Sequence, residues 1–256
     1  MNLENKTIVI TGGGQGLGRI MAISFAKSGA NIALIDLNEE LLRETVGLVE
    51  QNGSVNTSAK YYLANVSNEA QVESTFKQIN DDFNGIDGLV NNAGILRDGL
   101  LIKAKDGEVI NKMSLDDFQS VIDVNLTGVF LCGREAAVHM IESGNKGVII
   151  NMSSIARDGN IGQTNYSAAK AGVVAMTATW ARELGKHGIR VGAIAPGVIR
   201  TAMTDSIKPE IRDRLVKMQA IGRLGDADEI AHTAKYIFEN EFFTGRVVEI
   251  DGGLAM

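Results

Sequence analysis

Short apolar runs alternate with longer amphipathic segments along all 256 residues, and this rhythm limits the fold more than any other property of the chain. Apolar runs of strand length lie at 7–11, 31–36, 60–64, 88–91, 147–152, 190–194 and 247–251. Between them, apolar residues recur at helical spacing over 17–28, 39–51, 69–83, 115–141, 165–187 and 226–238. Near-continuous apolar strands separated by amphipathic helices are the pattern of a parallel sheet covered on both faces. Right-handed crossovers then predict a Rossmann-type, doubly wound, seven-stranded parallel α/β sheet, with a binding crevice at the carboxyl ends of the strands. The length suits one domain over 1–256.

The first strand runs into Thr11-Gly12-Gly13-Gly14-Gln15-Gly16-Leu17-Gly18, a glycine-rich turn that opens the first helix. Such a turn can bring backbone N–H groups against a pyrophosphate. An acid, Asp36, ends the next strand, where a carboxylate can accept from adenosine ribose hydroxyls and would repel a phosphate placed there. Neither Gln15 nor Leu37 supplies the positive charge that a 2′-phosphate wants, so the pattern favours NAD. Asp36 could instead cap the helix that follows. Asn91-Asn92-Ala93-Gly94 ends the fourth strand, where a small-residue turn lets backbone approach a ligand or simply turns the chain.

Farther along stand Asn125, Ser154 and Tyr166-Ser-Ala-Ala-Lys170. A helix puts residues i and i+4 on one face, so the Tyr166 phenol and the Lys170 ammonium approach the same small volume. At roughly 5 Å and an effective dielectric of about 20 their attraction is on the order of 3 kcal/mol, or about two pKa units off the phenol. An activated phenol is a proton shuttle, and with a serine and an asparagine nearby the set can run a carbonyl reduction.

Several classes are excluded. The net charge of −6 leaves no basic patch for nucleic acid. No stretch reaches 18 apolar residues, and the first residues lack a signal-peptide pattern, so a cytoplasmic protein is expected. One cysteine, Cys132, in an apolar setting, fits a reducing compartment and a packing role. His139, His187 and His232 are too dispersed for a metal site. Two segments break the rhythm. Residues 97–112 carry Asp98-Gly99 and Asp106-Gly107 turn signals and predict a small hairpin over the site. Residues 201–221 carry spaced apolar positions, consistent with a helical lid or an ordinary packed helix.

Taken together, these motifs resemble the short-chain dehydrogenase/reductase family over essentially the whole chain: the Thr11–Gly18 loop, Asn91-Asn-Ala-Gly94, Asn125, the serine before Tyr166-x-x-x-Lys170, Pro196-Gly197 and Asp251-Gly-Gly253. The stretches Gly162-Gln-Thr-Asn-Tyr-Ser-Ala-Ala-Lys170 and Ala181-Arg-Glu-Leu184 are similar to 3-oxoacyl thioester reductases. The resemblance implies that Tyr166 gives a proton to the carbonyl oxygen, Ser154 hydrogen-bonds that oxygen, Lys170 holds the nicotinamide ribose, and Asn125 positions a water in a proton path. It implies a cofactor surface made by Gly12, Gly14, Gln15, Gly16, Leu17, Gly18, Asp36, Leu37, Asn92, Ala93, Gly94, Tyr166, Lys170, Pro196 and Gly197. Ile199 and Thr201 would lie at the carboxamide. Asn65, ahead of Val66, stands where the family often has an adenine-contacting aspartate, and its amide oxygen could still accept from the adenine amino group.

The family's usual serine-to-tyrosine spacing selects Ser153, whereas the strand register of 150–154 selects Ser154 with one loop residue fewer. Ser154 is preferred, because a register slip flips a side chain across the sheet while a loop absorbs a deletion cheaply. Carrier-protein reductases often place arginines where this chain has Asn145-Lys146 and Lys186-His187, which leaves the acyl carrier open. The expected activity is NADH-linked interconversion of a secondary alcohol and a ketone, with a 3-hydroxyacyl/3-oxoacyl thioester as the favoured substrate. A sugar, steroid or small alcohol is the alternative, and a non-catalytic redox sensor the reading from another class. Apolar positions on more than one face of 115–141 and 165–187, including Val173, Val174, Met176 and Trp180, suit subunit contacts, and similar enzymes are commonly tetramers.

Overall fold

The computed structural model describes residues 1–200 and 209–254. Its main sheet holds seven parallel strands in the order β3-β2-β1-β4-β7-β8-β9. These are β1 (Thr7–Thr11), β2 (Asn31–Asp36), β3 (Ala59–Leu63), β4 (Gly88–Asn91), β7 (Val148–Met152), β8 (Arg190–Pro196) and β9 (Val247–Ile250). The third strand begins one residue before the expected start, and the sixth runs two residues past its expected end. From β1 the chain winds outward through β2 to β3, then crosses back to lay β4 on the other side of β1. The turns leaving β1 and β4 therefore diverge, which opens a crevice above their carboxyl ends.

Burial explains why the central strands read as unbroken apolar runs. Every residue of β1, β4 and β7 is buried, because helices cover both faces. On one face α1 (Gly16–Lys27) packs on α8 (Ala227–Glu239), with Phe25 and Phe238 edge to face at 5.4 Å. The other face is built from α3 (Glu69–Phe83), α5 (Gly128–Glu142) and the long α6 (Thr164–Leu184). Each fully buried Leu, Ile, Val or Phe contributes about 1.5–3 kcal/mol relative to exposure. Local caps start two of the helices: the Asn38 side chain accepts from Leu41 N–H at α2 (Glu39–Asn52), and Asn68 accepts from Gln71 N–H at α3. Cys132 packs inside this core, and burial pushes its thiol up to about 12.

Three expectations change in detail. The helix expected over 115–141 is divided into α4 (Leu115–Ile122), a π-helical turn (Asp123–Thr127) and α5. A π turn inserts a residue while keeping helical periodicity on either side, so the sequence reads straight through it. Residues 97–112 do form an antiparallel hairpin, β5 (Ile102–Lys105) and β6 (Glu108–Lys112), turning through Asp106 at φ 52° and Gly107 at φ 83°. Both strands are exposed along their whole length. Of the segment 201–221, residues 209–218 are helical as α7 (Pro209–Met218), and 201–208 lie outside the described residues. Among the described residues, no helix is long and apolar enough to cross a membrane, and no cluster of three His, Cys, Asp or Glu could hold a metal ion.

Candidate active site

The crevice is walled on one side by the glycine loop. Gly12 and Gly16 adopt φ +64° and +55°, which favours glycine. At Gly18 the restriction is space: a Cβ would lie 2.2 Å from the Gly12 carbonyl oxygen and 2.8 Å from Asn92 Nδ2. At Gly16 a Cβ would meet no atom within 4 Å, so the loop is dense beneath and open beside its turn. That shape fits a pyrophosphate over a helix N-terminus. The Asn92-Ala93 turn is welded to the loop, since Thr11 Oγ1 accepts from both backbone N–H groups at 3.0 Å and Asn92 Nδ2 donates to the Thr11 and Gly12 carbonyls.

Asp36 ends β2 beside this loop. Its Oδ2 accepts from Gly14 N–H at 3.1 Å, and its Oδ1 from Leu37 N–H at 2.7 Å and Asn38 N–H at 3.3 Å. The cap of α2 is Asn38, not Asp36. Leu37 is exposed and Val66 buried. Asn65 is engaged differently from the expectation. Its Oδ1 already accepts from both the N–H and the hydroxyl of Ser67, at 3.0 and 2.8 Å. An amide oxygen has two lone pairs, so an adenine would meet the Asn65 NH2 rather than its oxygen.

Farther along the carboxyl edge, β7 and α6 bring the reactive set together. A buried polar chain ties β4, β7 and α6 together beneath it: Asn91 Nδ2 donates to Asn151 Oδ1, and Asn151 Nδ2 to Thr177 Oγ1, each at 2.9 Å. Asn151 and Ser153 are buried while Ser154 emerges at the end of β7. Ser153 Oγ donates to the Lys170 carbonyl oxygen at 3.0 Å and is thereby used inside the fold. Ser154 Oγ accepts from Ala156 N–H at 3.1 Å, and its hydroxyl is near enough to the Tyr166 phenol to favour the phenolate.

Lys170 is almost wholly buried, and its Nζ donates to the Met152 carbonyl at 2.7 Å. Its Nζ lies 5.6 Å from the Tyr166 ring centroid. Burial lowers Lys170 to about 8. The Tyr166 phenol is raised from its ordinary value by burial, with the Ser154 hydrogen bond opposing and the Asp98 charge adding to the rise. This reverses the direction expected from the Tyr-Lys spacing. Pairing on a helix face does bring the two side chains near each other, but burial dominates the phenol, and the ammonium is turned to the Met152 carbonyl.

Asn125 sits in the π turn, fully buried. Its Oδ1 accepts from Ile95 N–H at 2.8 Å and its Nδ2 donates to Ile95 carbonyl at 3.0 Å. Both ends of the side chain thus hold Ile95, in the irregular segment after Gly94. Pro196 ends β8, and Gly197 N–H donates to Ile250 carbonyl at 2.8 Å, which brings the Asp251-Gly-Gly253 turn alongside. Ile199 is buried and bridges Gly225; Thr201 lies outside the described residues.

Two participants carried no sequence signal. Asn165, fully buried, donates to the carbonyls of Arg97 and Asp117 and accepts from Tyr166 N–H, so it ties the hairpin base and α4 to the start of α6. Arg19 hydrogen-bonds the carbonyl of Gly14. Only the residue before the tyrosine, and an arginine just past the glycines, could have hinted at them.

A family model described as enoyl-(acyl carrier protein) reductase matches residues 12–255. The chain is 38% identical to the 3-oxoacyl-[acyl-carrier-protein] reductase FabG of Thermotoga maritima, with 100% of both chains covered. It is likewise 38% identical to the (3R)-3-hydroxyacyl-CoA dehydrogenase of Canis lupus familiaris, covering 100% of this chain and 98% of the relative. Among solved structures, levodione reductase superposes with a TM-score of 0.88 at 34% identity over 98% of each chain. A glycine-rich turn at one end of the crevice, a serine–tyrosine–lysine set at the other, and matches over the full length lead to one assignment: the chain belongs to the short-chain dehydrogenase/reductase family, oxidoreductases that work with a nicotinamide dinucleotide.

Proposed function

We propose that this enzyme interconverts 3-hydroxyacyl and 3-oxoacyl thioesters with NAD(H), through Asn125, Ser154, Tyr166 and Lys170. The observation that carries the reading is the meeting of Ser154 and Tyr166, close enough for the serine hydroxyl to act on the phenol's ionisation, with buried Lys170 behind them. Ser153 supports the choice of serine, because its hydroxyl is used by the Lys170 carbonyl. The raised Tyr166 phenol holds its proton at neutral pH, the state needed to protonate a ketone oxygen. Ser154 Oγ takes a backbone N–H as acceptor and keeps its proton to donate to the same oxygen as charge develops. As the proton leaves, the Lys170 ammonium opposes the charge left on the phenolate. A nicotinamide dinucleotide held by the glycine loop and Asp36 would supply the hydride in reduction and accept it in oxidation. Asn125 holds Ile95 and with it the turn after Gly94, so it shapes the wall against which the cofactor lies.

NAD is favoured by Asp36, whose carboxylate stands against a 2′-phosphate. The thioester is supported by relatives named for 3-oxoacyl and 3-hydroxyacyl substrates. The likeness to levodione reductase favours a second reading, a small ketone. A steady-state panel of acetoacetyl-CoA, acetoacetyl-carrier protein and small cyclic ketones, each with NADH and NADPH, separates them. Turnover of the ketones alone sinks the thioester reading, and preference for NADPH sinks the NAD reading. A homotetramer is supported by Phe130, Val138 and Ile141, apolar yet exposed on α5. Sedimentation as a monomer at micromolar concentration counts against it.

A further inference from the structure

Arg19 lies one turn into α1, and its guanidinium reaches back to the glycine loop. Nε and Nη2 donate to the Gly14 carbonyl at 3.1 and 2.7 Å. Nη1 and Nη2 meet the two oxygens of Glu44 on α2, both at 2.8 Å. Thr45 Oγ1 completes the cluster, accepting from Nε at 3.0 Å and donating to the Gly14 carbonyl at 3.0 Å. The other side of the same residue faces the opposite charge, since Gly14 N–H donates to Asp36 Oδ2. One glycine is thus held by a cation through its carbonyl and by an anion through its amide.

This geometry bounds the distance between the two charges. The N and O atoms of one residue are about 3–4 Å apart, and each hydrogen bond adds about 3 Å, so guanidinium and Asp36 carboxylate are within about 10 Å. A phosphate on a ribose held by Asp36 would therefore lie on the order of one Debye length, about 10 Å, from Arg19, close enough for a free guanidinium to attract it at low salt. Free, that guanidinium would be a phosphate ligand. Here both terminal nitrogens face Glu44 in a bidentate pair, and the arginine side chain is only 19% exposed.

We propose that Glu44 is a specificity-determining residue for the cofactor: by holding Arg19 in a bidentate pair, it withholds that guanidinium from a ribose 2′-phosphate. Discrimination against NADP then has two parts, repulsion by Asp36 and neutralisation of Arg19 by Glu44. The inference rests on the NAD reading and assigns part of that preference to a residue that need not touch the cofactor. Gly14 carbonyl and Thr45 keep Arg19 beside the loop when the carboxylate is lost, so a Glu44 substitution frees charge without releasing the side chain.

The test is fluorescence titration of NADH and NADPH against the purified full chain. Glu44→Gln is expected to tighten NADPH about tenfold and to change NADH less than about twofold, and the gain should fade between low and 0.5 M salt, as an exposed charge interaction does. Glu44→Gln combined with Arg19→Ala should lose the gain, because the guanidinium carries it. Unchanged NADPH affinity in Glu44→Gln, or equal weakening of both cofactors, overturns the proposal in an NADH-preferring enzyme and makes Glu44 a brace for the loop. A wild-type protein that prefers NADPH overturns the NAD reading and this inference together. Circular dichroism and melting of each variant separate misfolding from altered affinity. If Glu44→Gln fails to fold, Glu44→Ala with the same titrations decides the matter.

Discussion

A methyl group added at Gly18 would lie 2.2 Å from the Gly12 carbonyl oxygen, whereas one added at Gly99 or Gly107, in the hairpin segment, would meet no atom within 4 Å. The two regions border one crevice yet follow different rules. Around the glycine loop, backbone packs on backbone, with the Thr11, Asn92 and Asp36 side chains stitching adjacent turns. The hairpin is held at its base, by Gly99 N–H to the Gly162 carbonyl, Gln163 to Asp98 and Asn165 to the Arg97 carbonyl, and its strands are solvated. The first region leaves little room for side-chain change. The hairpin strands are exposed along their length, so substitutions there are expected to cost little stability.

The largest expected effect lies where the two regions meet. Tyr166→Phe should lower kcat by about 10³-fold or more, with melting temperature nearly unchanged, since the phenol's contribution is proton transfer. Retained turnover would mean that the crevice binds without using this tyrosine. Next, Gly18→Ala should destabilise by about 2–4 kcal/mol in urea unfolding, because the atom it strikes is backbone and cannot swing away. Gly99→Ala should stay within about 0.5 kcal/mol. Equal losses at the two sites would erase the contrast.

A pH series tests the buried cation. Lys170 is lowered from 10.5 to about 8 in the fold, so between those values the unfolded chain binds more protons and stability rises with pH. Below about pH 8 the desolvation penalty is fully present; it is relieved on the way to pH 10.5. Relative to Lys170→Met, the wild type should gain on the order of 3 kcal/mol across that window. Parallel pH curves for the two proteins would show that the ammonium is better solvated than the structure indicates. The smallest stability effect belongs to the hairpin. Replacing 102–112 by a short Gly-containing turn should change unfolding free energy by less than about 1 kcal/mol while altering KM several-fold for the preferred substrate. A large loss of stability would make the hairpin part of the scaffold.

What could be read in advance depended on how local its cause was. Strands β1, β2 and β4 were legible to the residue because burial on both faces leaves an apolar run bounded by turn residues. The glycine loop was legible because positive φ at Gly12 and Gly16 is a property of single residues. The π turn around Asn125 left no trace in the helical period on either side. Asn65 gave no sign that Ser67 would take both lone pairs of its oxygen. Arg19 passed unnoticed because its importance comes from Glu44 and Thr45, 25 and 26 residues away.

The sequence by itself determined the winding of the sheet, the place of the crevice at its carboxyl edge and the residue types gathered there, since these follow from periodicity, turn chemistry and the hand of the crossovers. Only the tertiary structure decided which way each polar group points. It sent the Ser153 hydroxyl into the fold and Ser154 to Tyr166, raised the phenol that spacing alone would have lowered, and paired Arg19 with Glu44. The reason is physical. Hydrogen-bond direction and desolvation depend on every neighbour in three dimensions, and neighbours brought together by folding are not neighbours along the chain.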